Sequence, residues 1–259
     1  MSFDDQHRFL AGVRRALGVG TPREAPHGLF QQSPSPRSRE LLERVRRRAG
    51  KETRSLMGRL QAAAAPLKID LHCVSGPADA AAVVARIAAQ ASPEWGDRKE
   101  VAAWRHRLIE SLHLSDVLDV PVFFSEPDDR LPAAEARRQL QRRLSKSVIG
   151  VTAAEFCLAD TATVVLRTRP GQARGVSLLP SVHVAVVESG RLIADLAELY
   201  ALLRWDPAQR ADGLSTCLTL VSGPSKTADI EATLVHGAHG PRALHLIVVD
   251  RGKTLDSAS

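Results

Sequence analysis

The sequence predicts an α/β protein, a three-layer α/β/α fold with a largely parallel sheet, preceded by an N-terminal helical arm. Three observations lead there. From Pro66 onward, short runs rich in Val, Ile and Leu alternate with Ala- and Leu-rich segments of helical period, the pattern of parallel strands joined by crossover helices. Two runs, HVAVVE (183–188) and CLTLVSG (217–223), are mostly apolar and read as buried strands, the first of the kind buried on both faces. Residues 1–62 contain no such run. The predicted division is therefore an arm over 1–62 and an α/β domain over 63–255.

The elements follow in order. Residues 3–17 carry Phe3, Phe9, Leu10, Val13 and Leu17 at roughly helical spacing, so they predict a short helix. The next stretch, GVGTPREAPHGLFQQSPSPRS, is rich in Pro, Gly and Ser and reads as an extended arm or mobile loop. Residues 37–59 predict one Arg-rich amphipathic helix, with Leu41, Leu42, Val45, Ala49, Leu56 and Leu60 as its apolar marks and the arginines on the solvent side. LKIDLHCVS alternates as a strand, DAAAVVARIAAQA reads as a helix, KEVAAW and VPVFFSE as strands, and AAEARRQLQRRLSKS as a helix. FCLADTATVVLRT breaks into two apolar runs about Asp160 and Thr161, a strand pair with a tight turn. After HVAVVE come a helix over RLIADLAELYALLRW, a buried strand over CLTLVSG, a helix over SKTADIEATLVHG closed by Gly237, and the final strand ALHLIVVD. In open parallel sheets ligands sit beyond the carboxyl ends of the strands. That rule points to the loop after 217–222 and to the turn at 160–163.

Composition narrows the function classes. The chain has 259 residues, 44% of them hydrophobic, which suits one medium domain with an appendage. No apolar run reaches the ~18 residues that span a bilayer. The start, MSFDDQHRFLAGVRRALG, has no apolar core or small-residue cleavage site, so a secretory signal is not expected and the expected location is the cytoplasm. The formal charge of +6 resides in residues 37–59, with nine Arg or Lys against three Glu, and the rest of the chain balances. This stripe has no aromatic residue for stacking on bases and matches no DNA-reading motif. It is read as a solvated or partner-docking face rather than a nucleic-acid site. Cys73, Cys157 and Cys217 lie far apart among apolar neighbours and are expected to be buried structural residues. Three cysteines cannot supply the four thiolates of an iron–sulfur cluster.

The stretch VSGPSKTADIEATLVHGAHGP (221–241) concentrates turn residues, hydroxyls and charge. It is not a P-loop, because the glycines of G-x-x-x-x-G-K-[ST] would fall on Leu220 and Ser225. Read as strand, turn and helix, it places Gly223 at a sharp exit, Pro224 at the helix start, Ser225 or Thr227 as cap, and Lys226 at the mouth. Unpaired N–H donors there would form an anion site. Asp229 and Glu231 would point about 200° apart on that helix and make no acid/base pair. His236 and His239 have no metal-ligand spacing. His239, before Gly-Pro, is a weak catalytic candidate. No G-x-S-x-G elbow and no G-x-G-x-x-G after a strand occurs.

Four blocks in order, GVTAAEFCLADTATVVL (150–166), SLLPSVHVAVVE (177–188), SGPSKTADIE (222–231) and GAHGP (237–241), strongly resemble the LUD-domain family of the LutC, or YkgG, type. The resemblance implies a NagB/RpiA/CoA-transferase-like layered fold. It implies a role in oxidising L-lactate to pyruvate together with LutA-like and LutB-like iron–sulfur partners, which would carry the clusters, so that no cofactor or metal is expected on this chain. Two departures from the family pattern matter. Asp160-Thr161-Ala162-Thr163 stands where Asp-Thr-Gly-Thr is usual, so a turn with φ > 0 would strain Ala162 or have to bend differently. SGPSKT stands for SGPSRT, and lysine lacks the planar fork of arginine.

The expected function is thus a non-cluster subunit of an L-lactate utilization system that binds a small anionic metabolite. Thr161, Thr163, Gly223, Ser225, Lys226 and Thr227 would line the cleft. Asp160 would orient the ligand or act as base, although a turn-forming role explains it equally. The alternative is a stand-alone enzyme of the same fold acting on a phosphorylated or CoA-linked metabolite.

Overall fold

The computed structural model describes residues 3–18, 33–93, 99–210, 217–228, 234–236 and 240–250. Two compact units divide after Arg37. The first contains helix α1 (Phe3–Ala16), which ends with Gly18 at φ +66°, the left-handed conformation common just past a helix. Of the Pro-, Gly- and Ser-rich stretch at 18–38, residues 19–32 lie outside the described residues, and the last three, 36–38, are helical rather than an extended arm.

The second unit is built on six parallel strands. β1 (Ile69–Val74), β2 (Val101–Ala103), β3 (Val122–Phe124), β4 (Ile149–Ala153), β7 (Val182–Glu188) and β12 (Ala243–Val249) form one sheet in the order β1-β12-β7-β4-β2-β3. Every pairing is parallel. The last strand of the chain thus sits between the first and the seventh. Strand β4 was not expected from the sequence: its Gly150, Thr152 and Ala153 dilute the apolar signal, yet all five of its residues are buried. Gly150 is obligatory, because a Cβ there would lie 1.8 Å from the carbonyl oxygen of Val176.

One face of this sheet packs on α4 (Pro77–Gln90), α5 (Arg107–Glu110) and α6 (Leu114–Val117). Val84, Ile87, Ile109 and Leu112 meet Ile149, Val151, Val184, Val186 and Ile247 there. The other face packs on α3 (Gly50–Ala64), α7 (Ala133–Leu144) and a second, four-stranded sheet. That sheet runs β8-β5-β6-β9, from β5 (Phe156–Leu158), β6 (Thr163–Arg167), β8 (Leu192–Ile193) and β9 (Leu218–Val221). Its residues alternate as the pleat requires. Cys157, Val164 and Leu166 face the main sheet. Phe156, Leu158 and Val165 face α2 (Pro36–Arg46) and α8 (Leu196–Trp205). Each fully buried Val, Leu or Ile here contributes about 1.5–3 kcal/mol. α9 (Pro207–Arg210) follows α8.

Several expectations are corrected by this arrangement. The Arg-rich segment is two helices, α2 and α3, broken at 47–49, and Leu42, Val45, Leu56 and Leu60 fasten both to the core. The helix expected from Arg191 begins only at Leu196, where Asp195 accepts a hydrogen bond from the backbone of Glu198 as its cap. Leu192 and Ile193 are strand instead. CLTLVSG is not a doubly buried parallel strand. It contains β9, an edge strand antiparallel to β6. Among the described residues no helix follows it: β10 (Lys226–Ala228) and β11 (Leu234–His236) pair antiparallel. The β-branched Thr227, Ile230, Thr233 and Val235 in this stretch disfavour a helix and suit a pleated pair. Of the cysteines only Cys157 is buried, Cys73 being exposed and Cys217 intermediate.

Candidate functional site

The two segments singled out by sequence meet across the second sheet. In register, Val164 of β6 lies beside Val221 of β9, which brings the turn before β6 against the loop after β9. There the hydroxyls of Thr161 and Thr163 lie 2.7 Å apart, and those of Thr163 and Ser222 are again 2.7 Å apart. Three hydroxyls so linked consume two of their three protons internally. The third O–H belongs either to an end of the row or to Thr163, whose Oγ1 also lies 3.3 Å from the carbonyl oxygen of Thr161 and can donate to it, and lone pairs remain to accept. Thr163 is buried while Thr161 and Ser222 are exposed, so both ends of the row face solvent.

The turn itself is strained. Ala162 has φ +46° and is fully buried. The left-handed geometry is therefore retained without glycine, at a cost of roughly 1–2 kcal/mol. Gly223 has φ +123°, and a Cβ there would meet the carbonyl oxygen of Leu67 at 3.3 Å. This glycine lets the loop pass over the chain just before β1. Ser225 donates its backbone N–H to the carbonyl of Pro241, 2.8 Å away, two residues ahead of β12. The loop 222–226 thus covers the amino-terminal ends of β1 and β12. The expected position beyond the carboxyl ends of the parallel strands is corrected: β5, β6 and β9 belong to the other sheet.

Arg59 was not expected in this place. It projects from α3 and holds Asp160 in an ion pair, with Nε 2.5 Å from Oδ1. Both side chains are two-fifths exposed, and no hydrogen bond to Oδ2 is formed among the described residues. Asp160 therefore keeps one oxygen to accept a proton or a hydroxyl hydrogen bond, beside a guanidinium that neutralises its charge. The signal for Arg59 lay in its position 3 residues beyond Leu56 and one before Leu60, on the flank of the buried stripe rather than opposite it. Ser222 was visible within SGPSKT but its partners were not.

The remaining sequence candidates divide. Lys226 is exposed and opens β10 opposite His236, so it works from a strand and not from a helix mouth. Thr227 pairs through its backbone with Val235. His239 lies outside the described residues, as do Asp229 and Glu231. Cys157 stands in β5 just before the turn, where burial pushes its thiol up to about 12 and removes it from thiolate chemistry. Among the described residues no group of three or more His, Cys, Asp or Glu is arranged to hold a metal ion, and no helix is long and apolar enough to cross a membrane.

The chain is 38% identical over 114 residues to lactate utilization protein C of Halalkalibacterium halodurans, covering 44% of this chain and 49% of that protein. It is 34% identical over 152 residues to lactate utilization protein C of Shouchella clausii, covering 59% and 63%. The chain spans about half the length of the curated relatives it matches. The crystal structure of a DUF162 family protein from Deinococcus radiodurans is similar with a TM-score of 0.51 at 21% identity, over 76% of this chain and 98% of that one, which concerns the fold alone. The LUD domain family model matches residues 57–249, from α3 through the last strand and so across both sheets and the hydroxyl row. The chain belongs to the LUD domain family.

Proposed function

We propose that this protein is a non-cluster subunit of a bacterial L-lactate utilization system and holds a small carboxylate at the Asp160–Thr163 turn. The observation that carries the reading is the direct contact of two family blocks through the Thr163 and Ser222 hydroxyls, in a chain whose similar proteins bear the name lactate utilization protein C. A 2-hydroxy acid has a carboxylate to accept from an O–H at an end of the row and from Lys226 or Arg59. Its own hydroxyl can donate to the open oxygen of Asp160. Iron–sulfur partners of the LutA and LutB kind would take the electrons, since L-lactate oxidation to pyruvate releases two electrons and two protons. The working location is the cytoplasm.

The test is L-lactate-dependent reduction of a dye by the full chain with the two iron–sulfur partners, against the partners alone and the chain alone. Activity only in the complete mixture, reduced at least tenfold by Asp160→Asn, is the expected result. Equal rates from the partners alone would remove this chain from the reaction.

A further inference from the structure

The carboxyl ends of the six-stranded sheet carry a second polar cluster, at the opposite end of β5 and β6 from the hydroxyl row. Glu155 follows β4, Arg191 follows β7 and His106 follows β2, and Arg169 joins them from the second sheet, just after β6. Glu155 is nearly enclosed, with only 12% of its side chain exposed, and Arg169 Nη1 lies 2.7 Å from its Oε2. Arg191 has three-quarters of its side chain covered, yet its Nη1 stands 4.0 Å from Glu155 Oε1, too far for a hydrogen bond. Its guanidinium lies 5.6 Å from the centroid of the Phe156 ring and makes no side-chain hydrogen bond among the described residues. An arginine fork so covered and so little used is poised for an external acceptor.

His106 supplies a second donor. Its Nδ1 accepts the backbone N–H of Leu108 at 3.1 Å, which fixes the neutral tautomer with its proton on Nε2. No partner for Nε2 occurs among the described residues. Burial is the main force holding this imidazole neutral, with Arg107 and Arg169 acting in the same sense and Glu155 and Glu188 opposing them. The groups that face the cluster are thus three guanidiniums and two carboxylates around a neutral ring, one positive charge in excess. They stand where open parallel sheets bind ligands.

We propose that the carboxyl ends of β2, β4 and β7 form a second binding site, for a small oxyanion, in which Arg191 and the Nε2–H of His106 donate to the ligand and the Glu155–Arg169 pair positions Arg191. The shared chemistry is that of a carboxylate or a phosphate group. Neither the family match nor the names of the relatives assigns anything to these residues.

Isothermal titration of the full chain with inorganic phosphate, with acetate and with chloride, at constant ionic strength and pH 7, tests it. At least one oxyanion binds ten times more tightly than chloride, and whether phosphate or acetate leads identifies the class of ligand. Made in a Thr163→Val background, which disables the carboxylate site proposed at the hydroxyl row, Arg191→Gln weakens that binding at least tenfold and Arg191→Lys weakens it less, whereas Thr163→Val alone leaves one oxyanion site in place. In parallel, the imidazole of His106, followed by NMR, titrates at higher pH when the oxyanion is bound, and this rise disappears in Arg191→Gln. Binding no tighter than chloride overturns the proposal, as does oxyanion binding that survives Arg191→Gln in the Thr163→Val background. Binding that is lost instead in Thr163→Val assigns the anion to the hydroxyl row and likewise overturns it.

Discussion

Replacing Arg48 by Met should destabilise the larger unit by about 3–5 kcal/mol, although Arg48 stands in the most basic stretch of the chain. Only 10% of its side chain is exposed, and its partner Glu198 is 2% exposed. Nη2 donates to Glu198 Oε1 at 2.7 Å and Nη1 to the carbonyl of Leu192 at 3.1 Å. The other oxygen of Glu198 accepts from the backbone N–H of Ala194 at 2.7 Å. The pair therefore ties the α2–α3 break to β8 and to the first turn of α8. Met fills similar volume, so packing is largely kept. What remains is a carboxylate without its cation, buried beneath α8, and a carbonyl without its donor. Against a domain stability of about 5–15 kcal/mol, the loss is large. Urea unfolding followed by tryptophan fluorescence and circular dichroism measures it as a fall in the midpoint at unchanged slope. Glu198→Met should cost a similar amount. The double variant should be at least 2 kcal/mol more stable than the sum of the two losses implies, because no lone charge is then buried. A loss under 1 kcal/mol for Arg48→Met, or strict additivity in the double variant, would refute the reasoning.

Three further outcomes follow from particular contacts. Gly150→Ala places a methyl 1.8 Å from the carbonyl of Val176, in backbone that cannot swing aside, and should cost more than about 3 kcal/mol, in the range of severe overpacking. A thermal midpoint within 3 °C of the parent would contradict it. His183 is held neutral by complete burial, which pushes it down to about 3 from 6.5. The unfolded chain binds its proton first, so stability falls as pH drops through 6.5 and keeps falling toward 3, by about 2 kcal/mol between pH 7 and pH 5. His72, His106 and His245 are lowered chiefly by burial too and add to the same slope. Subtracting the stability curve of His183→Gln from that of the parent isolates the His183 share, and a flat difference would show that the ring is not buried neutral. Thr163→Val interrupts the hydroxyl row at its centre and should cost about 1 kcal/mol in stability, while lowering lactate-dependent dye reduction in the complete mixture at least tenfold. An unchanged rate would take the row out of the site.

Much of this protein is legible one segment at a time. The doubly buried strand β7, the final strand β12, the helix α4 and the antiparallel pair β5–β6 are local statements, made by apolar runs, helical period and a turn at Asp160. The blocks that join Thr161, Thr163 and Ser222 are visible as family motifs without any sheet being drawn. The segment 225–236 misled because its apolar residues fit a helical period while its β-branched residues asked for a strand. Pairing between β10 and β11 settled the matter, and no single-segment count contains that pairing.

What the sequence determined by itself was the α/β class, the family and the residues of one polar turn, because each depends on neighbours along the chain. The tertiary structure alone decided which sheet each strand joined, and with it which end of the parallel strands the hydroxyl row covers. It also paired two arginines of a stripe read as solvated, burying Arg48 on Glu198 and setting the partly exposed Arg59 on Asp160. Their partners lie 150 and 101 residues away. Charge pairing over such separations is fixed only when the core has brought α2, α3 and the second sheet together, since solvent otherwise satisfies every one of those charges equally well.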